Sequence, residues 1–303
     1  MPANPLNRTG LVYREAFLRH NIRRGHPESP ERLVKIREAL AAAGLLDVLV
    51  PVENWPDPFA ALLSHHTREH VDRIRRIPTT GEIAELAVGG ALAAIREVSE
   101  GRLRNAFCAV RPPGHHANNT GAEEGFCFYS NAAVAARYAQ QVCGHERILI
   151  VDWDYHHGNA TQNAFYEDPS VLFFSTHNWY DYPGTGDPAL RGSRSGSGTN
   201  LNVHLGPGST DRDMLAAWDR VLLPAVERFR PDFVVISAGF DSRRDDLLGS
   251  FEVSDDAFAR MTRTLMDVAD HYCGGRVVSL LEGGYNVDGQ ARAAAAHVAT
   301  LTD

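Results

Sequence analysis

The chain has 303 residues, 44% hydrophobic and 22% charged, enough apolar material to bury a large core in one α/β domain or two modest ones. Its formal net charge of -8 argues against a nucleic-acid footprint and suits a cationic or neutral substrate. Four scattered cysteines, an N-terminus (MPANPLNRTG) without signal-peptide order, and no apolar run near the roughly 18 residues that span a bilayer point to a reducing cytoplasm and away from membranes.

Short apolar runs alternate with helical patterns throughout, the sequence form of an open, mainly parallel β-sheet with helices on both faces. No linker or composition break interrupts this, so one domain over 1–303 is expected. The first strand is expected near 11–13. Ser29 then Pro30 reads as an N-cap and first-turn proline, opening a helix whose Leu33, Ile36 and Leu40 form one stripe before Gly44. His65, His66 and His70 include a pair four apart, but no carboxylate pair completes a metal site, and they read as surface histidines. Further strands are expected near 106–110, 147–151 and 171–174. Cys108 and Cys127 read as core residues, not nucleophiles.

Residues 184–200 are too rich in Gly and Ser for regular structure and read as a surface loop; the stretch lacks the Lys-Ser/Thr ending of a phosphate cradle. A helix follows through Met214, Leu215, Trp218 and Leu222, with a kink expected at Pro224. After a strand near 233–237, Ser254 opens a helix with Phe258, Met261, Leu265 and Val268 on one face, ending at Gly274. The last strand is expected near 276–281.

Four apolar runs end in polar clusters: FCAV-RPPGHH, ILIV-DWDYHH, FVVISAGF-D and VVSLL-EGGY. Ligands of open parallel sheets bind beyond the carboxyl ends of the strands, where these clusters sit. In DWDYHHGN a two-residue strand period sends Asp152, Asp154 and His156 to one side, and Asp241 arrives from another strand. Two carboxylates and two imidazoles crowded at a strand end repel or stay unpaired unless a cation sits among them. Three protein ligands leave a position open, as in catalytic zinc sites; Fe²⁺ suits a His-Asp-Asp set equally. The Pro-Pro-Gly turn fixes the direction of His115 and His116, one of which can serve as general base, with Asp152 free to hold the other if it is not a ligand. Tyr285, after two glycines, can offer a protonated phenol to a developing oxyanion.

These motifs, with HPESPERL (residues 26–33), GFCFYSNAAVAARYA, YPGTG and SAGFDSRRDD, make the chain resemble the zinc-dependent histone deacetylase superfamily, which shares its fold with arginase. The nearest branch is the class II enzymes and their bacterial homologues, and the resemblance covers nearly the whole chain. It implies zinc on Asp154, His156 and Asp241, His116 as general base and acid, and Tyr285 as electrophilic donor. It also implies a His115–Asp152 pair, a His116–Asn159 pair, and a narrow substrate tunnel that includes Phe126, Tyr182, Leu248 and Gly284. A structural K⁺ ion would rest on Asp152, Asp154 and His156, largely through their carbonyls, with the Ser175 hydroxyl. The implied reaction is hydrolysis of an acylated amine such as acyl-lysine, with self-association left open.

The chain departs from the family pattern at Ala160, where Gly is usual, at Leu247, where Pro is common, and over Ile77 to Val88, which is short. An acetylpolyamine amidohydrolase is the closest alternative. Polyamine-selective relatives carry a glutamate at the tunnel mouth where Leu248 stands here, which favours acyl-lysine or a neutral acylamine. A two-metal ureohydrolase would require further bridging carboxylates, and a non-catalytic acyl-lysine reader would have lost a ligand or the tyrosine.

Overall fold

The computed structural model describes residues 8–303; the reading of MPANPLNRTG falls mainly on residues 1–7, outside them. Among the described residues eight strands form one sheet: β1 (Thr9–Val12), β2 (Val50–Pro51), β3 (Asn105–Cys108), β4 (Ile148–Asp152), β5 (Val171–His177), β6 (Asn200–His204), β7 (Phe233–Ala238) and β8 (Val277–Leu281). Their order is β2-β1-β3-β8-β7-β4-β5-β6, and every neighbouring pair is parallel. All residues of β3, β4, β5, β7 and β8 are buried, so helices cover both faces, as continuous Val/Ile/Leu/Phe runs require.

This order determines where the chemistry lies. Strands β3, β8, β7 and β4 are adjacent, so the loops leaving their carboxyl ends, which carry RPPGHH, EGGY, AGFD and DWDYHH, emerge side by side. In register, Asp152 at the end of β4 stands between Ser237 of β7 and Ser175 of β5.

The two strands not anticipated are edges. β2 is only two residues long and includes Pro51. In β6, Asn200 and Asn202 are buried on hydrogen bonds to Gln162 Oε1 and to loop carbonyls, so no alternating apolar pattern announces the strand.

Helix Asp255–Val268 starts as expected, with the Ser254 side chain accepting from Ala257 N, and its extension ends at Gly274 in the left-handed region. Ser29 differs: helix Glu31–Ala42 begins beyond it, with Pro30 preceding the first turn and the Ser29 carbonyl accepting from Arg32 N. The irregularity expected at Pro224 takes the form of a π-helical turn over Trp218–Leu222. That turn relieves the clash between a proline ring and the preceding turn's carbonyl. Helices Arg68–Arg75 and Thr80–Ser99 meet through a tight link, so the short Ile77 to Val88 stretch is helical apart from its first residues. Among the described residues no helix is long and apolar enough to cross a membrane.

Candidate active site

Strand β4 ends at Asp152, and the residues beyond it turn, which corrects the expectation that a strand period aligns Asp154 and His156. A relay of carboxylates shapes the turn instead. Asp152 Oδ1 accepts from Asp154 N (3.1 Å), Asp154 Oδ1 from His156 N (2.9 Å), and Asp241 Oδ1 from Tyr155 N (2.8 Å). Ligating atoms of Asp154, His156 and Asp241 consequently converge within 4.8 Å of one another. His156 Nδ1 lies 3.1 Å from Asp154 Oδ1 and 3.0 Å from Asp241 Oδ2. Gly283 N donates to Asp154 Oδ2 (2.8 Å), and a Cβ on Gly283 would sit 2.2 Å from Asp241 Oδ2, so this backbone approach requires glycine.

The donor set fits a divalent cation. Burial, reinforced by the charge of Asp154, pushes Asp241 up to about 7. Burial alone would lower His156, but hydrogen bonds to both carboxylates push it up to about 10. Two buried carboxylates that share one imidazole cannot both ionise comfortably without positive charge, and two oxygens with one imidazole nitrogen are ligands that zinc accepts.

Asp152 Oδ2 faces His115 Nδ1 at 3.0 Å, and His116 Nδ1 pairs with Asn159 Oδ1 at 2.7 Å, so both expected pairs are present. Their protonation differs. Burial would lower His115, but the carboxylates of Asp154 and Asp152 hold it well above its ordinary value. His116 is driven well below its own by burial and by the neighbouring His115 and His156. The asparagine oxygen accepts a hydrogen bond from the Nδ1–H of neutral His116, which leaves its Nε2 lone pair free. Sequence reasoning missed Glu282, whose Oε2 accepts from Gly114 N (2.6 Å) and His115 N (3.2 Å) and holds the backbone beneath both rings. The rule that singled out Asp152, a charge directly after an apolar strand, also singles out Glu282.

Tyr285 is buried, and burial together with the Asp241 charge lifts its phenol well above its ordinary value, so it stays protonated. Asp246 orients it, with Oδ2 accepting from Tyr285 N (2.7 Å) and Asn286 N (3.0 Å). Below lies a fully buried charge cluster. Arg32 donates to the Gly284 carbonyl and Gln290 Oε1 (both 2.7 Å), to the Glu282 carbonyl, and to Glu28 Oε1 (3.1 Å). Arg111 grips both Glu28 oxygens, at 2.5 and 2.6 Å, and His20 Nε2 lies 3.3 Å from that carboxylate.

A cavity of about 300 Å³ opens onto these groups, lined by His116, Gly125, Phe126, His156, Asp181, Tyr182, Leu248 and Tyr285. His116, His156 and Tyr285 are buried while Tyr182 and Leu248 are 47% and 39% exposed, which puts the titratable groups on the floor and the other two at the mouth. Gly284, expected on the wall, does not line the cavity; it sits behind Tyr285 with its carbonyl on Arg32. Gly125 was not anticipated. Its φ is +54°, and a Cβ there would lie 2.2 Å from His116 Cδ2. Asp181, also unanticipated, accepts from Tyr155 OH (2.9 Å) and Tyr182 N (2.9 Å).

His66 and His70 are not surface residues: both are buried and stacked, and they anchor the loop that carries Gly125 and Phe126. His66 meets Asn119 Oδ1 (2.9 Å) and accepts from Ser130 N (2.9 Å); His70 meets the Phe128 carbonyl (2.7 Å) and accepts from Gly121 N (2.8 Å). Cys108 and Cys127 are buried, and burial raises both thiols, in line with a core placement. The Ser175 hydroxyl is buried 2.8 Å from His177 Nδ1.

Comparison with known proteins gives a consistent picture. Residues 26–301 match the family model described as "Histone deacetylase domain". The chain is 37% identical over 298 residues to a "Probable deacetylase" of Archaeoglobus fulgidus, covering 93% of this chain and 82% of that protein. It is 40% identical over 299 residues to "Histone deacetylase 15" of Arabidopsis thaliana, covering 91% of this chain and 52% of the relative, so it spans about half the length of that plant protein. The crystal structure of the HDA15 HD domain superposes with a TM-score of 0.91 at 38% identity, over 98% of this chain and 90% of that one.

Proposed function

The chain belongs to the histone deacetylase family of hydrolytic deacetylases, and on that premise we propose that it removes an acetyl or related acyl group from an acylated amine such as acyl-lysine at one zinc ion held by Asp154, His156 and Asp241. One observation carries this reading: His116, His156 and Tyr285 line the floor of one cavity, with Asp154 and Asp241 converging on His156 and with His115, paired with Asp152, packed against His116. Zinc, when bound, supplies the Lewis acidity for attack of water on an amide.

The side chains account for the proton movements. Neutral His116 accepts the water proton at Nε2 and delivers it to the departing nitrogen, with Asn159 fixing the tautomer. His115, charged against Asp152, adds positive potential beside it. The Tyr285 phenol donates to the carbonyl oxygen as that oxygen gains charge. Phe126 and Tyr182 flank the chain of the substrate, and Leu248 at the mouth supports acyl-lysine or a neutral acylamine over an acylpolyamine.

A K⁺ ion on the Asp152, Asp154 and His156 carbonyls and the Ser175 hydroxyl belongs to the same reading. The carbonyls of Trp153, Tyr155 and His157 accept hydrogen bonds from Ser242 Oγ, Asn178 N and Asn159 N. Among the described residues no donor reaches those of Asp154 and His156, and a buried carbonyl needs a partner. One catalytic domain over 1–303, in a reducing cytoplasm that keeps four cysteines free, completes the proposal. Fe²⁺ suits the same ligands.

The test is a panel of acetyl-lysine peptide and acetylspermidine, assayed with protein stripped by a chelator and reloaded with zinc. Turnover that vanishes on stripping, returns with zinc and prefers the peptide is expected. Metal-independent turnover, or no amide hydrolysis at all, would sink the proposal, and preference for acetylspermidine would move it to the polyamine branch.

A further inference from the structure

Behind the catalytic pair lies a second convergence of ligating atoms. His115, Cys127 and Glu282 are all buried, and one donor atom from each falls within 4.8 Å of the others. His115 Nδ1 is committed to Asp152, which leaves Nε2, 3.8 Å from Asp154 Oδ1. Glu282 spends Oε2 on Gly114 N and His115 N, while Oε1 is buried without any partner, an unusual and costly state for a carboxylate oxygen. The Cys127 thiol lies 3.4 Å from the Gly125 carbonyl and also meets the backbone of His116. An imidazole, a thiol and an orphaned carboxylate oxygen form an N/S/O set that soft or borderline divalent ions prefer to Mg²⁺ or Ca²⁺.

We propose that His115 Nε2, Cys127 Sγ and Glu282 Oε1 form a second, inhibitory site for a thiophilic divalent cation such as Zn²⁺, distinct from the Asp154–His156–Asp241 set. Coordination releases the thiol proton and the Nε2 proton of the charged His115, and it gives Glu282 Oε1 the partner it lacks. The three ligands come from the loops after β3 and β8, whereas the catalytic set comes from those after β4 and β7, so the two sites share no side chain. Inhibition, which rests on the deacetylase reading, follows because an ion on His115 Nε2 occupies the imidazole beside His116.

Cobalt distinguishes the two sites without reference to activity. The first equivalent added to stripped protein enters a site without sulfur, and the second is expected to produce a near-ultraviolet thiolate-to-cobalt charge-transfer band. Cys127→Ser and, independently, Cys127→Ala should lose that band while keeping the first equivalent and its activity. Equilibrium dialysis with Zn²⁺ should give two ions per wild-type chain and one per variant. Outer-shell partners alone change metal affinity about 10–100-fold, so losing a direct ligand should raise the half-inhibitory zinc concentration at least about tenfold. One zinc per wild-type chain at saturation, no band, or a band or zinc inhibition unchanged in both variants would overturn the site. Absence of turnover at one equivalent would count against the deacetylase reading alone, because band and stoichiometry would still report on Cys127.

Discussion

Replacing Glu28 by glutamine keeps the shape of that side chain and removes the one carboxylate that neutralises Arg32 and Arg111. All three side chains are 0% exposed, so the variant leaves two guanidinium groups in the interior with no counter-charge in contact. Breaking a buried ion pair this way costs about 3–5 kcal/mol. For 303 residues at about 2.1 cal mol⁻¹ K⁻¹ of unfolding entropy each, that loss lowers Tm by roughly 5–8 °C. The pH dependence is diagnostic. Burial would raise the Glu28 carboxyl, but Arg111, His20 and Arg32 outweigh it and hold the group well below the usual carboxylate range. A depressed folded-state pKa contributes stability that is complete above the unfolded value of about 4.3 and is lost as pH falls below it. Calorimetry on wild type and Glu28→Gln should therefore find the same gap at pH 7 and pH 5, and a gap about 1 kcal/mol smaller at pH 3.5. A Tm difference under about 2 °C at pH 7, or a gap that widens on acidification, would refute the assignment of a stabilising charge to this cluster.

Two further outcomes are expected from the site. Tyr285→Phe should retain the wild-type melting profile and lose on the order of a hundredfold or more in turnover with little change in KM; equal kcat would remove the phenol from the reaction. Gly125→Ala places a methyl 2.2 Å from His116 Cδ2 at φ +54°, so kcat should fall at least about tenfold while zinc content stays at wild-type level, and unaltered kcat would show that the loop yields.

The interior of the sheet was readable because β3, β4, β5, β7 and β8 are apolar on both faces, so the runs themselves mark the strands. The edges were not: β6 hides Asn200 and Asn202 behind hydrogen bonds to Gln162 and to the Asp187 and Leu190 carbonyls of the preceding loop, and polar residues buried this way read as loop. Asp154, His156 and Asp241 converge as expected but through a different local geometry, since a carboxylate relay and not a strand period turns them inward. His66 and His70 illustrate the opposite failure. Their partners, three backbone groups and the Asn119 side chain, lie more than fifty positions away, so nothing nearby in sequence distinguishes an anchored histidine from a solvated one. Glu28 and Arg32 were visible in HPESPERL, but their role needs Arg111, which the chain supplies from 79 or more positions away.

The carboxylate relay has one more implication. Asp152, Asp154 and Asp241 each use an oxygen to hold a main-chain amide of the 154–156 turn, so the aspartates themselves help to shape it. Such a socket can be vacated and recharged without refolding, unlike the finger-type modules that collapse when stripped.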